Sequence, residues 1–158
     1  MDIKKEIKSA IDGKRLSVID AFDLRSDIKP ILKEAVDNMG INISPAKADD
    51  MLYRLSDYCK YYSYLTFEDL VNILRFGSLG VYGENYRFNM QIITKWFTSY
   101  LNDRLAIVYD LGKTDACTTE ERLLFLWNNR DKIPFWNEQC KKPRHKGRQG
   151  LRRINEVL

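Results

Sequence analysis

The chain has 158 residues, 44% of them hydrophobic and 30% charged, a balance that excludes wholesale disorder and supplies one core rather than several domains. Its net charge is +4, and no apolar run approaches the roughly 18 residues of a spanning helix, so a membrane partner or a membrane-embedded fold is not expected. Cys59, Cys117 and Cys140 are odd in number and far apart, with no Cys-x-x-Cys pair, which argues against a disulfide framework and a zinc site and for free buried thiols.

The periodicity is helical almost throughout. Ile3, Ile7 and Ile11 mark a short first helix that Gly13 is expected to cap. Ser17 with Asp20 three residues on reads as a capping box for a second short helix. Pro30 is placed in the first turn of a third, with Ile31, Leu32, Ala35, Val36 and Met39 facing inward and Gly40 ending it. Ser44-Pro45 reads as an N-cap and N1 proline, opening a helix whose stripe is Met51, Leu52, Leu55, Tyr58, Cys59 and Tyr62.

Thr66 and Asp69 make another capping box, followed by Leu70, Val71, Ile73, Leu74 and Phe76 before glycines close the run. Asn89 caps a helix with Met90, Ile93, Trp96, Phe97, Tyr100 and Leu101 inward, which Leu105 to Tyr109 continue. Thr118 or Thr119 starts a helix through Leu123, Leu124, Leu126 and Trp127, and Pro134 interrupts the helical pattern beyond it. The expected fold is all-α, a compact domain of about six to seven helices over residues 1–140. Residues 141–158 form a basic tail holding a short amphipathic helix.

The connection from Gly77 to Phe88 carries three glycines and three aromatics. No Gly-Lys-Ser/Thr succeeds it and no strand precedes it, so it does not read as a phosphate cradle; Tyr82, Tyr86 and Phe88 are expected to pack over a helix pair. It is also too long for a helix-turn-helix, and the helix after it has only Lys95 and Arg104 as cations, beside Asp103, giving a near-neutral outer face.

Tyrosines and cations interleave at Tyr53, Arg54, Tyr58, Lys60, Tyr61, Tyr62 and Tyr64. Spacing turns Tyr58 and Tyr62 inward and leaves Tyr53, Tyr61 and Tyr64 outward, to stack on unpaired bases or to cover a neighbouring element or protein partner. Catalysis has little to stand on. His145 is the only histidine, and carboxylate pairs such as Glu68-Asp69 and Glu120-Glu121 sit at helix starts, where they complement the dipole. Asp20, Asp23 and Asp27 lack the glycine and terminal Glu of a calcium loop. A non-enzymatic protein with no cofactor, no metal and no small-molecule substrate is expected.

The charge is concentrated at the end. Lys141, Lys142, Arg144, Lys146, Arg148, Arg152 and Arg153 oppose only Glu156, a net +6 over eighteen residues, so the first 140 sum to −2. Such a segment fits nucleic-acid phosphates or an acidic protein surface. Leu151, Ile154 and Leu158 add an apolar stripe suited to a groove on a partner protein, with Tyr82 and Tyr86 as further partner contacts.

The run Leu65-Thr-Phe-Glu-Asp-Leu, then Phe76-Gly77, Gly80-Val-Tyr82-Gly83-Glu84, Tyr86, Asn89, Trp96, Tyr100 and Arg104, resembles small helical proteins of phages and mobile elements of gut bacteria. For some of these a part in DNA replication is suspected. The resemblance covers about a quarter of the chain and brings no catalytic residue. It implies a phage or mobile-element habitat, and together with the basic tail makes a replication-associated adaptor in the cytoplasm of a bacterial host cell the expected function. The alternative is a protein-binding module, a virion component or an inhibitor of a host enzyme, docking through its C-terminal amphipathic segment.

Overall fold

Polar caps define where the helices begin. The computed structural model describes residues 1–129, and these form six α-helices with no strand among them. Asp2 caps α1 (Ile3–Ala10) by accepting the Lys5 N–H. Asp20 caps α2 (Ala21–Asn38), accepting from Phe22 at 2.8 Å. Ser44 caps α3 (Pro45–Cys59) with Pro45 behind it at N1. Thr66 and Asp69 form the reciprocal capping box of α4 (Phe67–Ser78), Asn89 caps α5 (Met90–Asp110), and Thr118 with Glu121 forms a second box on α6 (Thr119–Asn128). Single turns of tighter helix occupy Leu16–Val18, Lys60–Tyr62 and Thr114–Ala116. Met1–Cys117 make one compact unit, and Thr118 opens a second, of which α6 is described.

Three expected boundaries move. Ser17 lies in the tight turn, and Asp20 is the cap, so the capping box expected there does not form. Pro30 is inside α2 rather than at the start of a separate helix. An interior proline costs about 3 kcal/mol through its lost N–H and its clash with the preceding turn. Here it sits on the exposed face, while Leu24, Ile28, Leu32, Ala35 and Val36 form an unbroken buried stripe past it. Packing of that stripe against α3 and α4 keeps the helix continuous. Likewise α1 stops at Ala10 with Ile11 as its C-cap, so Gly13 does not cap it.

In the first unit α4 is the central element. It packs against α1, α2 and α5, and Leu70, Ile73, Leu74, Phe76 and Gly77 are buried together with Asp69, Asn72 and Ser78, the pattern of a helix enclosed on most of its circumference. Ile7, Leu55, Leu65, Phe88, Ile93, Trp96, Phe97 and Tyr100 complete one continuous core. A satellite cluster of Ile11, Val108 and Ala116 closes the end where α1 and α5 finish. Residues 14–17 run antiparallel to 63–67: the Leu16 N–H donates to the Leu65 carbonyl and the Phe67 N–H to that of Lys14, both at 2.8 Å.

The largest departure from the sequence reading is Arg104. Expected on the outer face of α5, it is fully buried, and its Nε donates to Asp69 Oδ2 at 2.9 Å. Asp69 Oδ2 also accepts the Thr66 N–H, and Asp69 Oδ1 accepts the Tyr100 hydroxyl at 2.6 Å. Thr66 donates its own hydroxyl to the Ala10 carbonyl at 2.7 Å. Arg104 Nη1 donates to the Ala116 carbonyl, and the guanidinium lies over the Tyr64 ring, 5.8 Å from its centroid. Burial and the Asp69 charge push the Tyr100 hydroxyl up, so it stays a donor. One carboxylate thus gathers α1, α4, α5 and the turn before Cys117.

Gly77 lies within α4 and does not end it. A Cβ there would stand 2.0 Å from Cδ2 of Trp96, whose indole is itself fully buried and has no room to retreat. Gly77→Ala is therefore expected to destabilise the protein by about 1–3 kcal/mol in urea unfolding, despite the better helix propensity of alanine. Unchanged or raised stability would show that α5 moves away freely.

Candidate interaction surfaces

The residues read as the principal binding group, Lys141, Lys142, Arg144, Lys146, Arg148, Arg152 and Arg153, lie outside the described residues, as do Leu151, Ile154 and Leu158. What can be built from geometry is the surface of the first unit. It is not basic: residues 1–117 hold 16 cations and 17 carboxylates, a net −1.

The tyrosine set divides much as spacing implies, with one exception. Tyr58 and Tyr62 turn inward, their hydroxyls 2.9 Å apart and both rings packed on Phe97. Tyr53 and Tyr61 face outward, 58% and 80% exposed. Tyr64 does not join them; it is half-buried beneath the Arg104 guanidinium. It comes after α3 and a tight turn, and helical spacing no longer describes where it points.

The cations beside these rings are engaged. Arg54 bonds to Asp50 and Lys60 to Asp57, each at 2.7 Å, and the bond from Lys60 holds the Asp57 carboxyl below the usual carboxylate range. Arg25, from α2, stacks on the Tyr53 ring at 5.1 Å. The interleaving of tyrosine and cation in the sequence therefore produces two local ion pairs and one stacked pair, without a row of open positive charge.

The connection after α4 has two sides. Gly80 adopts φ +79°, and the Val81 N–H reaches back to the Phe76 carbonyl while the Gly80 N–H reaches that of Gly77, a closing motif that needs the left-handed conformation at its glycine. Phe88 is buried against Trp96, and Tyr82 is half-buried against Phe76. Tyr86, expected to pack with them, instead projects with 82% exposure, its hydroxyl donating to the Glu84 carboxylate. Leu79 and Val81 are exposed on the same connection, which so presents three large apolar groups from an anchored backbone.

A cleft of about 350 Å³ opens between the tight turns, lined by Leu16, Ile19, Leu24, Cys59 and Lys60 with three serine hydroxyls. Burial pushes the Cys59 thiol up to about 12, so it is a packed hydrophobe rather than a nucleophile. Asp20, Asp23 and Asp27 do not converge on a metal position; among the described residues no group of three or more His, Cys, Asp or Glu does. Nor, among them, is any helix long and apolar enough to cross a membrane. Comparison with protein-family models, with curated proteins and with solved structures gives no match to this chain.

In a Cys117→Ser/Cys140→Ser background, Cys59 is expected to resist a disulfide reagent at pH 8, where a thiol titrating near 12 is ionised to about one part in ten thousand. Reaction should appear only as urea opens the fold. Rapid labelling of the native protein would contradict the buried assignment.

Proposed function

We propose that the protein is a non-enzymatic adaptor that engages nucleic-acid phosphates through its basic C-terminal segment, with a folded helical body supplying the second contact. The observation that carries this reading is the partition of charge: +6 in the last eighteen residues against −2 over residues 1–129. A polyanion is drawn to one segment and not to the body as a whole, and lysine and arginine without a base-reading helix favour backbone contacts over sequence recognition. Tyr53 and Tyr61 are exposed rings on which unpaired bases can stack. The resemblance to proteins of phages and mobile elements favours a part in DNA replication, in the cytoplasm of a bacterial host, as the setting of this proposed adaptor.

A specific observation favours a protein partner as well. Leu79, Val81 and Tyr86 project from a connection whose backbone is anchored by Phe88 and Tyr82, and an apolar group held rigidly loses little freedom when it docks. The apolar stripe Leu151, Ile154 and Leu158 suits a groove in the same way. In this second reading the chain is a protein-binding module, and the arginines meet the acidic rim of its partner.

Fluorescence anisotropy with labelled single- and double-stranded DNA over a salt series separates the two. The adaptor reading predicts binding that weakens steeply with salt, with a log-log slope of about 0.7–0.9 per neutralised phosphate. Neutralising Lys141, Lys142, Arg144, Lys146 and Arg148 to glutamine should abolish it, and Leu151→Ala/Ile154→Ala should leave it nearly unchanged. Absence of binding at low salt would overturn the adaptor reading in favour of the protein-binding module.

A further inference from the structure

Where α1 and α5 finish, the body carries an open cleft of about 420 Å³ lined by Lys5, Lys8, Ser9, Asp12, Leu111 and Lys113. Its walls hold three ammonium groups and one carboxylate, a local reversal of sign on a body of net −2. Lys5 and Lys8 stand three residues apart on α1, a spacing that brings their Cβ atoms to about 5–6 Å. Lys113 enters from the turn after α5 and pairs with Asp12 across the cleft. Lys5 and Lys8 have no ion-pair partner among the described residues.

We infer that this cleft is a second phosphate site, carried by the body itself and separate from the C-terminal cations, that takes the backbone of a nucleic acid; the inference rests on the adaptor reading above. The magnitude of the charge selects the ligand. The carboxyl ends of α1 and α5 border the cleft and add about half a negative charge each. Together with Asp12 they reduce three positive charges to an excess of about one. So small an excess does not hold a lone phosphate or a free nucleotide. It does strengthen a polymer already held by its other phosphates, because the added contact bears no new loss of translational freedom.

The Asp12–Lys113 pair is the adjustable part of the site. Asp12 is largely exposed and Lys113 partly so, so the pair is weak and screened by salt. A phosphate oxygen competes with the Asp12 carboxylate for the Lys113 ammonium. Removing the Asp12 charge should therefore improve binding even though it deletes an ion pair of the fold.

The test uses the full-length chain and labelled single-stranded DNA in the salt-series anisotropy experiment. Lys5→Gln/Lys8→Gln is expected to weaken binding several-fold and to lower the log-log salt slope by about 1.4, two single-strand phosphates at roughly 0.7 each. Asp12→Asn is expected to tighten binding. Lys33→Gln/Lys47→Gln, the same charge change at exposed lysines on α2 and α3, should leave the slope unchanged. If the wild type binds but Lys5→Gln/Lys8→Gln does not alter the slope, or the Lys33/Lys47 variant loses as much, the cleft is not a site and the adaptor reading stands. Weaker binding by Asp12→Asn also overturns the cleft. If the wild type does not bind at all, both fall.

Discussion

A carboxylate with no access to solvent sets the terms for this fold. Asp69 is fully buried at the third position of the central helix, and an ionised group there is tolerated only when it is paired and its oxygens are bonded. The surrounding residues meet both conditions: Arg104 supplies the counter-charge, and Tyr100 and the Thr66 backbone fill the remaining acceptor positions. The geometric consequence outweighs the energetic one. Replacing a buried pair by packed apolar groups is often neutral, but a pair held by this many bonded partners permits few arrangements of α4 and α5. Arg104 extends the constraint to the Ala116 carbonyl and Thr66 extends it to that of Ala10, so the ends of α1 and of the satellite cluster are placed by the same network.

That placement bears on the surface. The exposed side of the 79–86 connection depends on Phe88 resting against Trp96, and Trp96 in turn occupies the space that Gly77 leaves open on α4. The lysine-lined cleft depends on α1 and the end of α5 being brought side by side, which is where Arg104 and the satellite cluster act. Both of these surfaces are consequences of how α4 is enclosed.

The legible features are those whose chemistry is local. The capping box at Thr66, the caps at Ser44 and Asn89, the start of α6 at one of the two threonines Thr118 and Thr119, and the stripes of α3, α4 and α5 are all set by groups within four residues of one another, and all are present. The all-α architecture follows from them. The misreadings share a different cause. Pro30 looks like a helix start until its position on the exposed face of a packed stripe is known. Gly77 looks like a terminator until Trp96 is placed against it. Arg104 looks like a surface cation because its partner is 35 residues away in the sequence. A weak signal was available: an arginine one turn beyond Tyr100, on the stripe of Ile93, Phe97 and Tyr100, falls on the inner face of its helix. Of the candidate binding residues, Tyr53, Tyr61 and Tyr86 were legible as exposed aromatics only in part, since Tyr86 was expected to be packed. The lysine cleft was not legible at all, because it is assembled across about a hundred residues.

The measurement that bears most directly on this account is a double-mutant cycle on Asp69 and Arg104, using Asp69→Asn, Arg104→Met and the double variant in urea unfolding. If the buried pair organises the fold, each single change leaves an unmatched polar group in the core and the two are coupled by about 2–3 kcal/mol. Additive effects, with coupling below about 0.5 kcal/mol, would contradict it and would mean that apolar packing around α4 places the helices without help from the ion pair.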